Sequence, residues 1–123
     1  MKIIIDTHIF LWALYEPEKI SKNKRQELSS PSNIIYVSSI TFVEMMIKNS
    51  IGKLSVNADF IKATKDSGFE LLDFNAFDAM TLGDMPLHHK DPFDRMLIAQ
   101  AITNKYKLMS DDTKFGHYDC KLL

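Results

Sequence analysis

Lys2-Ile3-Ile4-Ile5-Asp6 is a short run of β-branched apolar residues that ends in an acid. The apolar residues do not alternate with polar ones, which is typical of a strand buried on both faces of a parallel sheet. Ligands of open α/β sheets bind at the carboxyl ends of the strands, so Asp6 is a candidate for a site there. Asp6 is equally suited to be the N-cap of the helix predicted from His8 to Leu14.

Strands and helices alternate along the rest of the chain. Further strands are predicted at 34–37, 69–73 and 108–109, with a last short strand within 121–123. Helices fill the intervals, and their predicted N-caps are Ser21, Ser39, Asn75 and Asp91. Gly52 and Gly68 mark helix ends. This alternation predicts an α/β fold, a three-layer α/β/α domain with a mainly parallel central sheet.

The stretch from His88 to Ala101 passes from polar residues directly into an apolar helix. Pro92 suits the first helical turn and Asp91 the N-cap. Asp94 lies in the first turn, where the helix dipole favours a carboxylate and where a metal ion has access from outside. Taken alone, both acids could simply be helix-start residues. His88 and His89 lack the spacing of a zinc site, so their role stays open.

Composition limits the class of protein. The 123 residues are 46% hydrophobic and 25% charged, as expected for one globular domain over 1–123. No apolar run reaches the roughly 20 residues of a membrane span, and the amino-terminal stretch lacks the pattern of a signal peptide. A single cysteine, Cys120, agrees with a reducing compartment. We therefore expect a cytoplasmic protein that is not bound to a membrane.

The charge pattern gives little direct sign of nucleic-acid binding. The net charge of −1 argues against simple attraction to a polyanion, because domains that bind in that way are usually basic. The second predicted helix carries a basic cluster, which consists of Lys19, Lys22, Lys24 and Arg25. We interpret this cluster as a solvated helix face rather than as an RNA contact.

Four acids from distant parts of the sequence follow strands or lie in early helical turns; they are Asp6, Glu44, Asp94 and Asp112. Folding of a doubly wound sheet would gather such positions, and the gathered carboxylates would repel one another unless a cation joined them. Oxygen ligands favour Mg²⁺ or Mn²⁺, which can activate water for phosphodiester hydrolysis. For Glu44, an ordinary ion pair with Lys48 is the competing interpretation.

Together these motifs resemble a family. From Asp6-Thr7-His8 through Glu44 and Lys48 to Ser110-Asp111-Asp112, the chain is similar to PIN-domain ribonucleases, and more narrowly to VapC-like toxins of type II toxin–antitoxin systems. The resemblance spans essentially the whole chain. It implies a metal-dependent endoribonuclease that forms a homodimer and binds a cognate antitoxin protein, with Trp12 and its apolar neighbours as candidate contacts.

The resemblance also implies roles for single residues. Asp6, Asp94 and Asp112 would bind Mg²⁺ or Mn²⁺, and Glu44 would join them directly or through water. Ser110 stands where the family has a Ser or Thr near the metal, whereas Asp111 stands at a variable position, which favours Asp112 over Asp111 as the last ligand. The remaining roles are that Asp91 is a cap or an outer-sphere acid, and that Arg95 binds RNA phosphate, neutralises the acids or forms an ordinary salt bridge.

Three other functions compete with this interpretation. A haloacid-dehalogenase-like phosphatase also begins with an acid after its first strand, but it needs a second Asp where this chain has His8. A receiver-like domain would need adjacent acids near the first strand and has no place for Glu44. An RNA-binding PIN fold without catalysis is the third alternative, and the presence of all four acids argues against it.

Overall fold

A computed structural model of the chain describes residues 1–52, 59–86, 91–111 and 121–123. Its centre is a five-stranded sheet in the order β3-β2-β1-β4-β5, and every pairing is parallel. The strands are β1 (Lys2–Ile5), β2 (Ile34–Ser38), β3 (Glu70–Leu72), β4 (Lys107–Met109) and β5 (Lys121–Leu122). The predicted strands and the parallel sheet are confirmed, and β1 is its central strand.

Both faces of β1 are covered, as its unbroken apolar sequence requires. Ile3, Ile4 and Ile5 are completely buried. Because side chains alternate along a strand, Ile3 and Ile5 pack in one core with Phe10, whereas Ile4 packs in a second core with Leu97. The sheet therefore separates two hydrophobic cores.

Helices supply the outer layers. They are α1 (Thr7–Tyr15), α2 (Lys22–Ser29), α3 (Ser39–Ser50), α4 (Phe60–Asp66), α5 (Ala76–Thr81) and α6 (Pro92–Asn104). The core that contains Ile3 includes apolar residues of α1 and α4, and the core that contains Ile4 includes the buried side of α6. Helix α5 packs on α6. The three-layer α/β/α architecture is confirmed.

Side-chain caps fix where the helices begin, and most are the predicted ones. Ser21, Asn75 and Asp91 each accept a hydrogen bond from an amide of the following turn. The prediction of Ser39 as the cap of α3 is wrong by one residue. Ser38 is still extended and its hydroxyl accepts from the amide of Ile40, so Ser38 is the cap. Ser39 is free to accept from the amide of Phe74 at 2.9 Å, which ties α3 to the segment after β3.

Glycines end two of the helices as predicted. Gly52 follows α3 with φ of 76°, and Gly68 follows α4 with φ of 79°. This left-handed conformation has no steric cost for glycine, which explains its presence at these ends. Within the described ranges, none of the helices has the length and hydropathy of a membrane span.

The ends of β1 and β4 lie side by side at one edge of the sheet. The amide of Asp6 donates to the carbonyl of Met109 at 3.1 Å, so the residues after both strands start from adjacent positions. Strand β2 pairs with β1 on the other side and ends at Ser38, directly before α3. This edge of the sheet therefore receives the segments that contain Asp6, Ser110 and Glu44.

Candidate active site

Asp6 both caps a helix and supplies a buried carboxylate. Its Oδ1 accepts a hydrogen bond of 2.8 Å from the amide of Ile9, which begins α1. Its side chain also accepts a hydrogen bond from Ser110, and only 4% of the residue is exposed. Burial raises the pKa of Asp6 above its ordinary value, and the nearby charge of Asp111 adds to this rise, while the bonds from Ser110 and the Ile9 amide and the charge of His8 oppose it. Asp6 can therefore cap α1 and still belong to a site built from carboxylates.

Ser110 and Asp111, which directly follow β4, are the next two predicted site residues, and we call this pair the turn after β4. Ser110 is buried and contacts Asp6, whereas the side chain of Asp111 is 42% exposed. The ammonium of Lys24 forms an ion pair with Asp111 and donates to the carbonyl of Ser110 at 3.0 Å. The carboxylate of Asp111 is therefore engaged by a cation from α2. Asp112 lies outside the described residues.

Glu44 is a buried acid whose two oxygens both have partners. Only 3% of the residue is exposed. The Thr7 hydroxyl donates to Oε1 at 2.7 Å, and the Lys48 ammonium donates to Oε2 at 2.5 Å. The Thr7 hydroxyl also lies 3.2 Å from that of Thr41. Because Thr7 directly follows Asp6, it links the end of β1 to Glu44 on α3. The ion pair between Glu44 and Lys48 that the sequence suggested is present.

Lys48 faces more than one carboxylate. Its hydrogen bond to Glu44 is the main cause that raises the pKa of Lys48, and the negative charges of Glu44, Asp91 and Asp94 add to it against the effect of burial. Both acids at the start of α6 are thus within electrostatic range of this ammonium. Lys48 therefore senses the charge of Glu44 on α3 and of the two acids at the start of α6.

The start of α6 follows the sequence prediction. Asp91 Oδ1 accepts from the amides of Phe93 and Asp94 at 2.9 and 3.1 Å, and Pro92 is the first residue of the helix. Asp94 lies in the first turn. The buried Nε of Arg95 has no hydrogen-bond partner among the residues that the structure describes. Asp91 is therefore a helix cap, and its second proposed role as an outer-sphere acid stays a prediction.

The donor atoms suit a hard divalent cation. Asp6, Glu44 and Asp94 offer carboxylate oxygens and Ser110 a hydroxyl, which is the ligand chemistry of Mg²⁺ and Mn²⁺ rather than of Zn²⁺. Over residues 1–52, 59–86, 91–111 and 121–123, no three His, Cys, Asp or Glu side chains form a metal-ligating cluster. Asp112 and the pair His88 and His89 lie outside those ranges. The burial of Asp6 beside Ser110 is the observation that fits a cation, because a carboxylate there is costly without one.

Sequence reasoning missed two residues of this site. Thr7 belongs to the motif that resembles the family but has no predicted role of its own, although its position directly after Asp6 is a usable signal. For Lys24 the prediction of a solvated helix face is wrong, because its side chain is only 21% exposed and contacts Asp111 after β4. No local pattern identifies Lys24, since its partner Ser110 is 86 residues away.

The family model described as the PIN domain matches residues 3–121. The chain belongs to the PIN-domain family. PIN domains are generally nucleases, which supports a hydrolase acting on nucleic acids. Comparison with curated protein sequences finds no match.

Solved structures share the PIN fold of this chain. One is VapBC2 from Rickettsia felis bound to a DNA fragment from their promoter, with a TM-score of 0.75, 21% identity, and coverage of 100% of this chain and 98% of that one. DNA-bound VapBC from Salmonella typhimurium gives a TM-score of 0.71 at 17% identity over 100% and 97% of the two chains. The PIN domain endonuclease Utp24 gives 0.52 at 18% identity over 94% and 74%. At these identities the similarity is one of fold.

Proposed function

We propose that the domain over 1–123 is a Mg²⁺- or Mn²⁺-dependent endoribonuclease and the toxin of a type II toxin–antitoxin system. The observation that carries the proposal is the buried contact between Asp6 and Ser110, with Glu44 joined to the same edge through Thr7. Segments that are far apart in sequence supply these groups at the carboxyl edge of a parallel sheet. Membership of the PIN family supports nuclease chemistry at that edge.

In this proposal Asp6, Asp94 and Asp112 hold the ion, and Glu44 contributes directly or through water. When bound, such an ion lowers the pKa of water and neutralises charge on a phosphodiester. The other groups keep the acids in place: the Ser110 hydroxyl donates to Asp6, and the Thr7 hydroxyl donates to Glu44. Lys48 balances the charge of Glu44 and faces the acids of α6. Arg95, next to Asp94 in the sequence, is a candidate contact for RNA phosphate.

The proposed partners are an RNA substrate, a cognate antitoxin protein and a second copy of the chain in a homodimer. The structures of VapBC proteins with this fold support an antitoxin partner. Trp12 and its apolar neighbours on α1 stay candidate contacts for it. We expect the activity in the cytoplasm, because its RNA substrate would be found there.

Cleavage of RNA by the purified, antitoxin-free protein tests the proposal. We expect activity in Mg²⁺ or Mn²⁺ that EDTA removes, and we expect Asp6→Asn and Asp94→Asn each to abolish it with the fold intact by circular dichroism. Asp84→Asn is the matched control, because Asp84 is exposed in a 3₁₀ turn. Metal-independent cleavage, or full activity of either site variant, would contradict the mechanism. RNA binding without cleavage would favour the non-catalytic alternative.

A further inference from the structure

We propose that Lys24 is a positioning residue that holds the turn after β4 against the active site and so sets the affinity of the site for its divalent ion. This inference rests on the proposed function, because it assumes that the acids around Asp6 bind a metal. Lys24 itself touches neither the ion nor RNA in this proposal. It acts through Ser110 and Asp111.

One ammonium contacts both the main chain and a side chain of the turn. Lys24 Nζ donates to the carbonyl of Ser110 at 3.0 Å and pairs with the carboxylate of Asp111. The Lys24 side chain is only 21% exposed, so the contact is partly shielded from water. Two bonds to consecutive residues restrain both the position and the orientation of the turn, which a single surface ion pair would not do.

The restrained turn is part of the site. Ser110 donates its side-chain hydrogen bond to Asp6, and the predicted ligand Asp112 follows Asp111 directly. The sheet fixes the chain only as far as Met109, whose carbonyl accepts from the amide of Asp6. Beyond Met109, Lys24 anchors the main chain of the next residue. The contact thus lies between a regular strand and the point in the sequence where the predicted ligand Asp112 follows.

Helix α2 holds Lys24 in place and also contains a second lysine that can serve as a matched control. Its first turn is capped by Ser21, whose hydroxyl accepts from the amide of Lys24 itself at 3.3 Å. Lys22 lies on the same helix, is exposed, and makes no ion pair within the described parts of the chain. The two lysines therefore have the same charge and lie on the same helix, but only Lys24 contacts Ser110 and Asp111 among the described residues.

Loss of positioning and loss of charge have opposite effects on metal affinity. Removing a cation near a cluster of acids strengthens the attraction of that cluster for a divalent ion. Releasing the turn weakens the site, because residues that orient metal ligands typically contribute about 10- to 100-fold to affinity. The sign of the change therefore separates a positioning residue from a mere counter-charge.

Calorimetric titration of Mn²⁺ into the antitoxin-free protein, without RNA, tests the inference. We expect Lys24→Met to weaken Mn²⁺ binding about tenfold, Lys24→Arg to recover part of it, and Lys22→Met to bind like the wild type. If Lys24→Met binds Mn²⁺ as tightly as the wild type or more tightly, the inference is overturned while the proposed function stands. If the wild type binds no Mn²⁺, both are overturned.

Asp111→Asn provides a second variant that does not disturb α2. If Asp111 serves only as the anchor for Lys24, its loss weakens Mn²⁺ binding no more than Lys24→Met does, and the double variant shows no further loss. Further weakening in the Lys24→Met background would show that the charge of Asp111 itself contributes to metal binding, which overturns its assignment as an anchor alone. Thermal unfolding of each variant in EDTA checks that the fold is intact.

Discussion

Asp6 combines two requirements in one side chain. A helix cap needs only an oxygen acceptor, whereas a metal site needs negative charge. The carboxylate supplies both, but its burial beside Asp111 raises its pKa, so the charged form is costly in the folded protein. Under the proposed function, stability and activity therefore conflict at this residue, as is common at sites built for a ligand.

We predict that Asp6→Asn stabilises the metal-free fold by about 1 kcal/mol, the order expected for removing a buried, unneutralised charge. Asparagine keeps the oxygen that accepts from the amide of Ile9. Urea unfolding in EDTA at neutral pH measures the effect. Asp6→Ala serves as the comparison. It removes the same charge but also the helix cap, and loss of the cap should lower the free energy of unfolding by about 1 kcal/mol relative to Asp6→Asn. A clear destabilisation by Asp6→Asn would show that burial of the carboxylate is not the dominant cost.

At the scale of elements, two acids of the candidate site, Asp6 and Asp94, lie where helices begin. Asp6, a candidate ligand, is itself the N-cap of α1, which begins at Thr7. Asp91 is the N-cap of α6, and the candidate ligand Asp94 lies in the first turn of that helix. A shift of α6 by one residue would rotate Asp94 by about 100° around the helix axis. The caps are therefore as important for the site as the acids themselves.

Two substitutions of Asp91 separate its role as a cap from a role at the metal. We predict that Asp91→Asn keeps both stability and most activity, because asparagine also accepts from the amides of Phe93 and Asp94. Asp91→Ala should cost about 1 kcal/mol of stability and reduce cleavage, since the first turn with Asp94 loosens. Urea unfolding and RNA cleavage measure the two effects. A stable but inactive Asp91→Asn would instead identify an acid that acts on the metal or its water.

Sequence reasoning predicted most elements but not the contacts between them. The isoleucines of β1, the caps at Ser21 and Asp91, and the glycines after α3 and α4 have local signatures, and local energetics decide them. Choosing Ser39 over Ser38 failed because both serines are suitable caps and only the pairing of β2 with its neighbours fixes where that strand ends. Lys24 was beyond prediction, because its environment depends on how α2 packs near the end of β4.

For the whole molecule, the proposed function would couple metal binding to the fold. Its acids come from segments at both ends of the chain and from its middle, so an ion that binds them also joins those segments. Ligands that bind only the native state stabilise it in proportion to their occupancy. Folding and loading with metal are therefore expected to reinforce each other.

We predict that Mn²⁺ raises the melting temperature of the wild type, but not that of Asp6→Asn or Asp94→Asn. At a free concentration about 100 times the dissociation constant, linkage adds about 2.7 kcal/mol to the free energy of unfolding. Differential scanning fluorimetry with Mn²⁺ and with EDTA measures the shift, and NaCl at equal ionic strength controls for screening. Equal shifts for the wild type and the site variants would show that the ion acts elsewhere.

The order of the strands has a consequence for biosynthesis. Ile3 of β1 pairs with Lys107 of β4, and Asp6 accepts a hydrogen bond from Ser110. Residues that are translated first can therefore form these contacts only after residues near the end of the chain have been synthesised. A nascent polypeptide therefore has no complete candidate site until the ribosome has passed β4, however early its first helices form. Under the proposed function, such a delay would keep a growing chain from cleaving the message that encodes it.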